Sequence, residues 1–183
     1  MSAPVPLARR LADGLTIGRA VIGLPLLLAL GQGYTALAWL LLLLGGLSDA
    51  ADGWLARRAG GGSVWGARLD PLTDKILVLA PLLWLVNRGD LPLWAVWLLL
   101  ARELLISGWR AGQGSGGPAS AFGKAKTVLQ FASLLLMLWP VGWGEPVQVE
   151  RLQLLGWWLF WPSLVFALGS AAEYLSPAGP RRR

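Results

Sequence analysis

The chain has 183 residues, of which 55% are hydrophobic and 14% charged, with a formal net charge of +6. It contains no cysteine and no histidine, which excludes disulfides, thiolate nucleophiles, cysteine-bound zinc and imidazole acid-base chemistry, and leaves metal binding and proton transfer to carboxylates. Its basic residues stand beside and between apolar blocks rather than on a separate polar surface, so the charge points to anionic lipid headgroups and membrane orientation, and nucleic acid is not an expected partner.

The apolar residues come in blocks of about 20, the length that crosses a bilayer as a helix. The fold expected is therefore all-α: a polytopic membrane protein with six transmembrane helices, forming a single domain over residues 1–183. Residues 3–12, with Pro4, Pro6, Arg9 and Arg10, are too short and polar to cross, and read as a short N-terminal interfacial segment rather than a cleaved signal. The crossings are expected at 14–31, 34–57, 70–87, 92–110, 123–140 and 151–175. Gly31-Gln32-Gly33, then Asn87 to Asp90 with Pro92, then Gly142 to Pro146 punctuate them, and a Gly/Ser-rich loop covers 111–121.

Six crossings put both termini on one side. Arg9, Arg10, Arg57, Arg58, Arg68, Arg110, Lys124, Lys126 and Arg181 to Arg183 fall on that side, against Arg88 and Arg151 opposite. The positive-inside rule then predicts a multi-pass protein of the cell membrane whose termini, 58–69 loop and 111–122 loop are cytoplasmic. The 12 tryptophans are accounted for by the membrane interfaces.

Asp49, Asp52, Asp70 and Asp74 fit this pattern poorly, because they lie at or just inside the ends of the second and third crossings. A buried aspartate costs about 2.5 to 3.5 kcal/mol at a membrane helix centre, less near the interface, so four are expected to serve a function. Asp49 and Asp52 are three apart and Asp70 and Asp74 four apart, which puts each pair on one face of its own helix. Two such helices joined by a short loop bring the pairs together, and an all-oxygen cluster suits Mg²⁺ or Mn²⁺. Gly53, Ala56 and Gly66 keep the neighbouring backbone small, and Arg57 and Arg58 stand at the cytoplasmic mouth, where a guanidinium can grip phosphate oxygens.

Taken together the residues read Asp52-Gly53-x2-Ala56-Arg57-x8-Gly66-x3-Asp70-x3-Asp74, with Asp49 one turn upstream. This resembles the signature of the CDP-alcohol phosphatidyltransferase family at every specified position. The resemblance implies a six-helix membrane fold, a homodimer and an active site open to the cytoplasm. It further implies that Asp49, Asp52 and Asp70 are ligands of two divalent ions, and that Asp74 is the general base and also touches metal. Asp52, Gly53, Ala56, Arg57 and Gly66, with Thr16 of the first crossing, would line the CDP site.

Arg102-Glu103 with Ser107 and Arg110, then Gly123-Lys124-x-Lys126-Thr127 with Gln130, and Thr16 with Arg19, are similar to the phosphatidylglycerophosphate synthase branch. One departure is Asp13, where that branch usually has Asn. The implied substrates are CDP-diacylglycerol and a phosphorylated small alcohol, with glycerol 3-phosphate expected. Arg102, Arg110, Lys124 and Lys126 are the candidates for its phosphate. The alternatives are another acceptor (inositol phosphate, serine or another lipid) or, from a different class, a membrane cation carrier using the four carboxylates as an ion path.

Overall fold

The computed structural model describes residues 7–58, 64–112 and 121–175. Within them the chain forms six α-helices and no strand: α1 (Leu7–Gly31), α2 (Thr35–Arg58), α3 (Val64–Arg88), α4 (Leu93–Gly112), α5 (Ala121–Met137) and α6 (Pro146–Leu175). The all-helical expectation and the order of its six elements hold.

Their ends differ from expectation where local chemistry overrides hydropathy. Residues 7–12 do not form a separate interfacial element but continue into α1. α3 begins six residues before the expected crossing. α5 stops at Met137, ahead of Pro140, with Trp139 N–H closing a tight turn on Leu136 O at 3.1 Å. α6 starts at Pro146 rather than at 151, because Glu145 O already accepts from Gln148 and Val149 N–H (2.9 and 3.0 Å) and a proline at the first helical position has no N–H to waste.

Two of the expected punctuation points are Schellman caps. After α1, Tyr34 N–H reaches Ala29 O at 2.8 Å and Gly33 N–H reaches Leu30 O at 3.1 Å; after α3, Asp90 N–H reaches Leu85 O at 2.9 Å and Gly89 N–H reaches Val86 O at 3.0 Å. Each cap needs a residue at positive φ, supplied by Gly33 (81°) and Gly89 (80°).

The chain divides into two compact units, residues 1–84 and 85–183. In the first, α1 and α2 pack as a hairpin through Leu26, Ala29, Leu30, Ala38 and Leu42. Glycines bring α3 close to both: a Cβ on Gly23 would meet Ile76 at 3.2 Å, and one on Gly45 would meet Leu77 at 2.5 Å. In the second unit, α4 and α5 each pack against α6. Here Ser133 Oγ donates to Gly156 O at 2.7 Å, Gln153 Nε2 to Trp139 O at 3.0 Å, and Trp157 Nε1 to Asp90 O at 3.1 Å. Trp94, Trp157, Trp158 and Trp161 pack against one another in tilted and edge-to-face pairs.

Polarity is inverted relative to a water-soluble bundle. Arg19, Thr73, Lys126, Gln130, Ser133, Ser163 and Ser170 are buried, while Val21, Leu24, Leu28, Leu104, Leu105, Val128 and Val165 are each more than half exposed. Among the described residues one helix, Pro146–Glu173, is long and apolar enough to cross a membrane, with a mean hydropathy of 1.4; Val21–Gly31 and Thr35–Ser48 are shorter apolar stretches. Charged residues interrupt the other helices, notably Arg102 and Glu103 in α4 and Lys124 and Lys126 in α5.

Candidate active site

The four aspartates fall on two helices, Asp49 and Asp52 in the last turns of α2 and Asp70 and Asp74 in the first half of α3. Their side chains lie outside the described residues, as do those of Thr16, Ala56, Arg57 and Arg110. Gly53 and Gly66 belong to the same stretches of α2 and α3.

Backbone register nevertheless relates the two pairs. Gly45 meets Leu77, and these residues stand equally far, thirteen positions, from the facing helix ends Arg58 and Val64, as in an antiparallel hairpin. From that crossing point Asp49 is four residues further along α2 and Asp74 three residues back along α3, about 6 and 4.5 Å along the axes; Asp52 and Asp70 are both seven residues away, about 10.5 Å. Steps of three, four and seven stay on one helix face. Ala38, Leu42 and Gly45 are buried throughout; Asp49 and Asp52 follow them along α2 at the same helical spacing, and Asp70 and Gly66 precede Thr73 and Leu77 along α3 at that spacing.

α1 follows the same register. Gly23 meets Ile76, and Thr16 lies seven residues before Gly23, as Asp70 lies six before Ile76. Between them on that face is Arg19, whose side chain is fully buried; a buried guanidinium in apolar surroundings has to be compensated by charge or hydrogen bonds.

The second unit holds the basic candidates. Arg102 on α4 is tied at three points: Nε donates to Ala167 O at 3.0 Å, Nη1 to Glu103 Oε1 at 2.7 Å, and Nη2 to Ser170 Oγ. Ser170 Oγ in turn donates to Ala167 O at 2.8 Å. Lys126 on α5 reaches the same Glu103 oxygen at 2.8 Å. The structure thus brings Arg102 and Lys126 together through Glu103, whereas Lys124, two residues earlier on α5, is exposed. Side-chain exposure is 9% for both cations and 15% for Glu103. Arg102 and Lys126 retain N–H donors beyond these bonds, since a guanidinium has five and an ammonium three, so the cluster can still bind an anion.

Sequence reasoning noted Glu103 as a neighbour of Arg102 but gave it no role, and missed Ser170. An acidic residue beside an arginine in an apolar helix was the available signal for Glu103; a serine one turn from its partner carbonyl in α6 carries none.

A family model described as CDP-alcohol phosphatidyltransferase matches residues 9–169. The chain is 37% identical over 139 residues to a probable phosphatidylglycerophosphate synthase of Mycobacterium tuberculosis, covering 72% of this chain and 66% of that protein. It is 34% identical over 151 residues to the CDP-diacylglycerol–glycerol-3-phosphate 3-phosphatidyltransferase of Shigella flexneri (77% and 78% covered) and 33% identical over 161 residues to that of Salmonella typhimurium (79% and 83%). With the family model matching residues 9–169, from α1 well into α6, the chain belongs to the CDP-alcohol phosphatidyltransferase family.

Proposed function

We propose that the chain transfers the phosphatidyl group of CDP-diacylglycerol to glycerol 3-phosphate, releasing CMP and forming phosphatidylglycerophosphate. The observation that carries this reading is the backbone register of the aspartates: Asp49 and Asp52 on α2 and Asp70 and Asp74 on α3 stand at matched distances along their helices from a common glycine contact. The names of the relatives support the acceptor, as does the buried basic pair Arg102 and Lys126, which suits a phosphate monoester. Family membership accounts for the glycine and arginine spacing that ion transport would not require, so the cation-carrier alternative lapses.

The donor set fits a divalent metal centre. It is four carboxylates in a chain without histidine or cysteine, hard oxygen ligands of the kind Mg²⁺ and Mn²⁺ take. Asp49, Asp52 and Asp70 would hold two such ions, which when bound would stabilise negative charge on the pyrophosphate and its leaving CMP. Phosphoryl transfer asks mainly for positioning and charge stabilisation from the protein. Asp74 accepts the proton of the attacking hydroxyl, the role open to a carboxylate when no imidazole is present. Gly53, Ala56 and Gly66 leave room for the nucleotide, Arg57 and Thr16 bind it, and Arg102 and Lys126, together with Arg110 and Lys124, hold the acceptor phosphate.

The proposal includes six membrane crossings, a homodimer, and an active site and termini on the cytoplasmic side of the cell membrane. The inverted polarity and the excess of basic residues on that side support the orientation.

The test is CMP release by the purified protein in detergent with CDP-diacylglycerol, Mg²⁺ and one alcohol at a time. Turnover with glycerol 3-phosphate is expected. Turnover with inositol phosphate or serine but none with glycerol 3-phosphate overturns the acceptor, and no CMP release with any alcohol overturns the transferase reading.

A further inference from the structure

Arg102 and Lys126 come from different helices yet share one counter-ion atom. Glu103 Oε1 accepts from Arg102 Nη1 at 2.7 Å and from Lys126 Nζ at 2.8 Å. Consecutive helical residues do not face each other, so Arg102 meets Glu103 only by folding its guanidinium back. Ala167 O and Ser170 Oγ on α6 hold it in that pose. After these bonds two N–H donors of the guanidinium and two of the ammonium remain for a ligand.

We propose that Glu103 is a positioning residue for the acceptor: its carboxylate fixes the separation of Arg102 and Lys126, so that their remaining N–H groups close on a single phosphate. This rests on the reading of the acceptor as a phosphorylated alcohol. Charge alone makes the opposite prediction. Arg102, Lys126 and Glu103 together carry +1, and replacing Glu103 by glutamine raises their sum to +2, which strengthens attraction for a phosphate dianion. Placement, in contrast, is lost in that variant, because two nearly buried cations without their shared counter-ion repel each other and the guanidinium fork no longer matches the phosphate.

Steady-state kinetics of the purified full chain decide between them, at saturating CDP-diacylglycerol with glycerol 3-phosphate varied. In Glu103→Gln the KM for glycerol 3-phosphate should rise about 10-fold, the scale of one charge-assisted hydrogen bond lost from a pocket. The kcat and the KM for CDP-diacylglycerol should stay near wild type. Inorganic phosphate, used as a competitor of glycerol 3-phosphate, should weaken in parallel. Glu103→Asp keeps the charge, and with it the neutralisation of the buried cations, but withdraws the oxygen by one methylene; it should fold and still raise the same KM.

An unchanged or lowered KM in the glutamine variant overturns the inference. So does an aspartate variant with wild-type kinetics, whether or not the glutamine variant folds, because Glu103 would then only neutralise charge. Failure of the underlying reading looks different: wild-type protein that neither saturates with glycerol 3-phosphate nor responds to inorganic phosphate.

Discussion

Gly156→Ala tests how tightly the second unit is built. A Cβ at Gly156 would lie 2.6 Å from Met137 N, 2.8 Å from Ser133 O and 2.9 Å from Leu136 Cβ. Ordinary contact begins near 3.5 Å, so α5 and α6 must part by about 0.6–0.9 Å. Two of the three obstructing atoms are helical backbone, which cannot rotate aside. The parting also stretches the buried bond from Ser133 Oγ to Gly156 O, now 2.7 Å. Overpacking costs about 1–3 kcal/mol and an interhelical hydrogen bond in a membrane about 0.6, giving about 2–4 kcal/mol in all. Gly45→Ala is the control: its obstructing atoms are the methyls of Leu77, at 2.5 and 2.9 Å, which can change rotamer at about 1 kcal/mol or less. The assay is unfolding of the purified protein by SDS titration, followed by tryptophan fluorescence. A Gly156→Ala variant within about 0.5 kcal/mol of wild type, the scatter of an ordinary surface substitution, or one no worse than Gly45→Ala, refutes the backbone-contact reasoning.

Three further outcomes are expected. Asp52→Asn and Asp70→Asn should each lower CMP release by about 10³-fold or more while helical content by circular dichroism is unchanged, because each would remove a charged ligand from the proposed metal centre; activity within tenfold of wild type would contradict that role. Dialysis against a chelator should stop CMP release and added Mg²⁺ should restore it, whereas turnover surviving chelation would remove the metal from the reaction. Ser133→Ala should cost about 1 kcal/mol in the same SDS titration, the hydroxyl being lost while the Gly156 carbonyl keeps its helical partner; a cost as large as that of Gly156→Ala would show that the hydrogen bond, not close packing, joins α5 to α6.

Much of the fold was legible because hydropathy and glycine chemistry agree. Gly33 and Gly89 were readable as breaks, and both proved to be positive-φ caps. Hydropathy misplaced ends where other forces rule: Pro146 begins α6 five residues before its apolar run, through the carbonyl of Glu145, and α3 carries helix through Arg68, which a window tuned to lipid rejects. On α2 and α3 the period of three and four put the aspartates on two faces. The contacts of Gly45 with Leu77 and Gly23 with Ile76 add the register that sequence alone lacks, because a glycine announces close approach without naming its partner. The basic cluster was half legible. Arg102 and Lys126 stood out as cations in apolar helices, but their sharing of one carboxylate oxygen depends on side-chain paths across three helices, which no local pattern encodes.

The two units carry opposite charge problems, and each has its own solution. On the proposed reading, the four aspartates of α2 and α3 would repel one another, and that repulsion would make their site selective for cations. Arg102 and Lys126 would repel in the same way, but Glu103 stands between them and leaves a single net positive charge, with hydrogen bonds from Arg102 to α6 fixing the geometry. A local counter-ion for the cations keeps the basic cluster weakly positive, the balance that the proposed phosphate site requires: strong enough to select a phosphate and weak enough to release it.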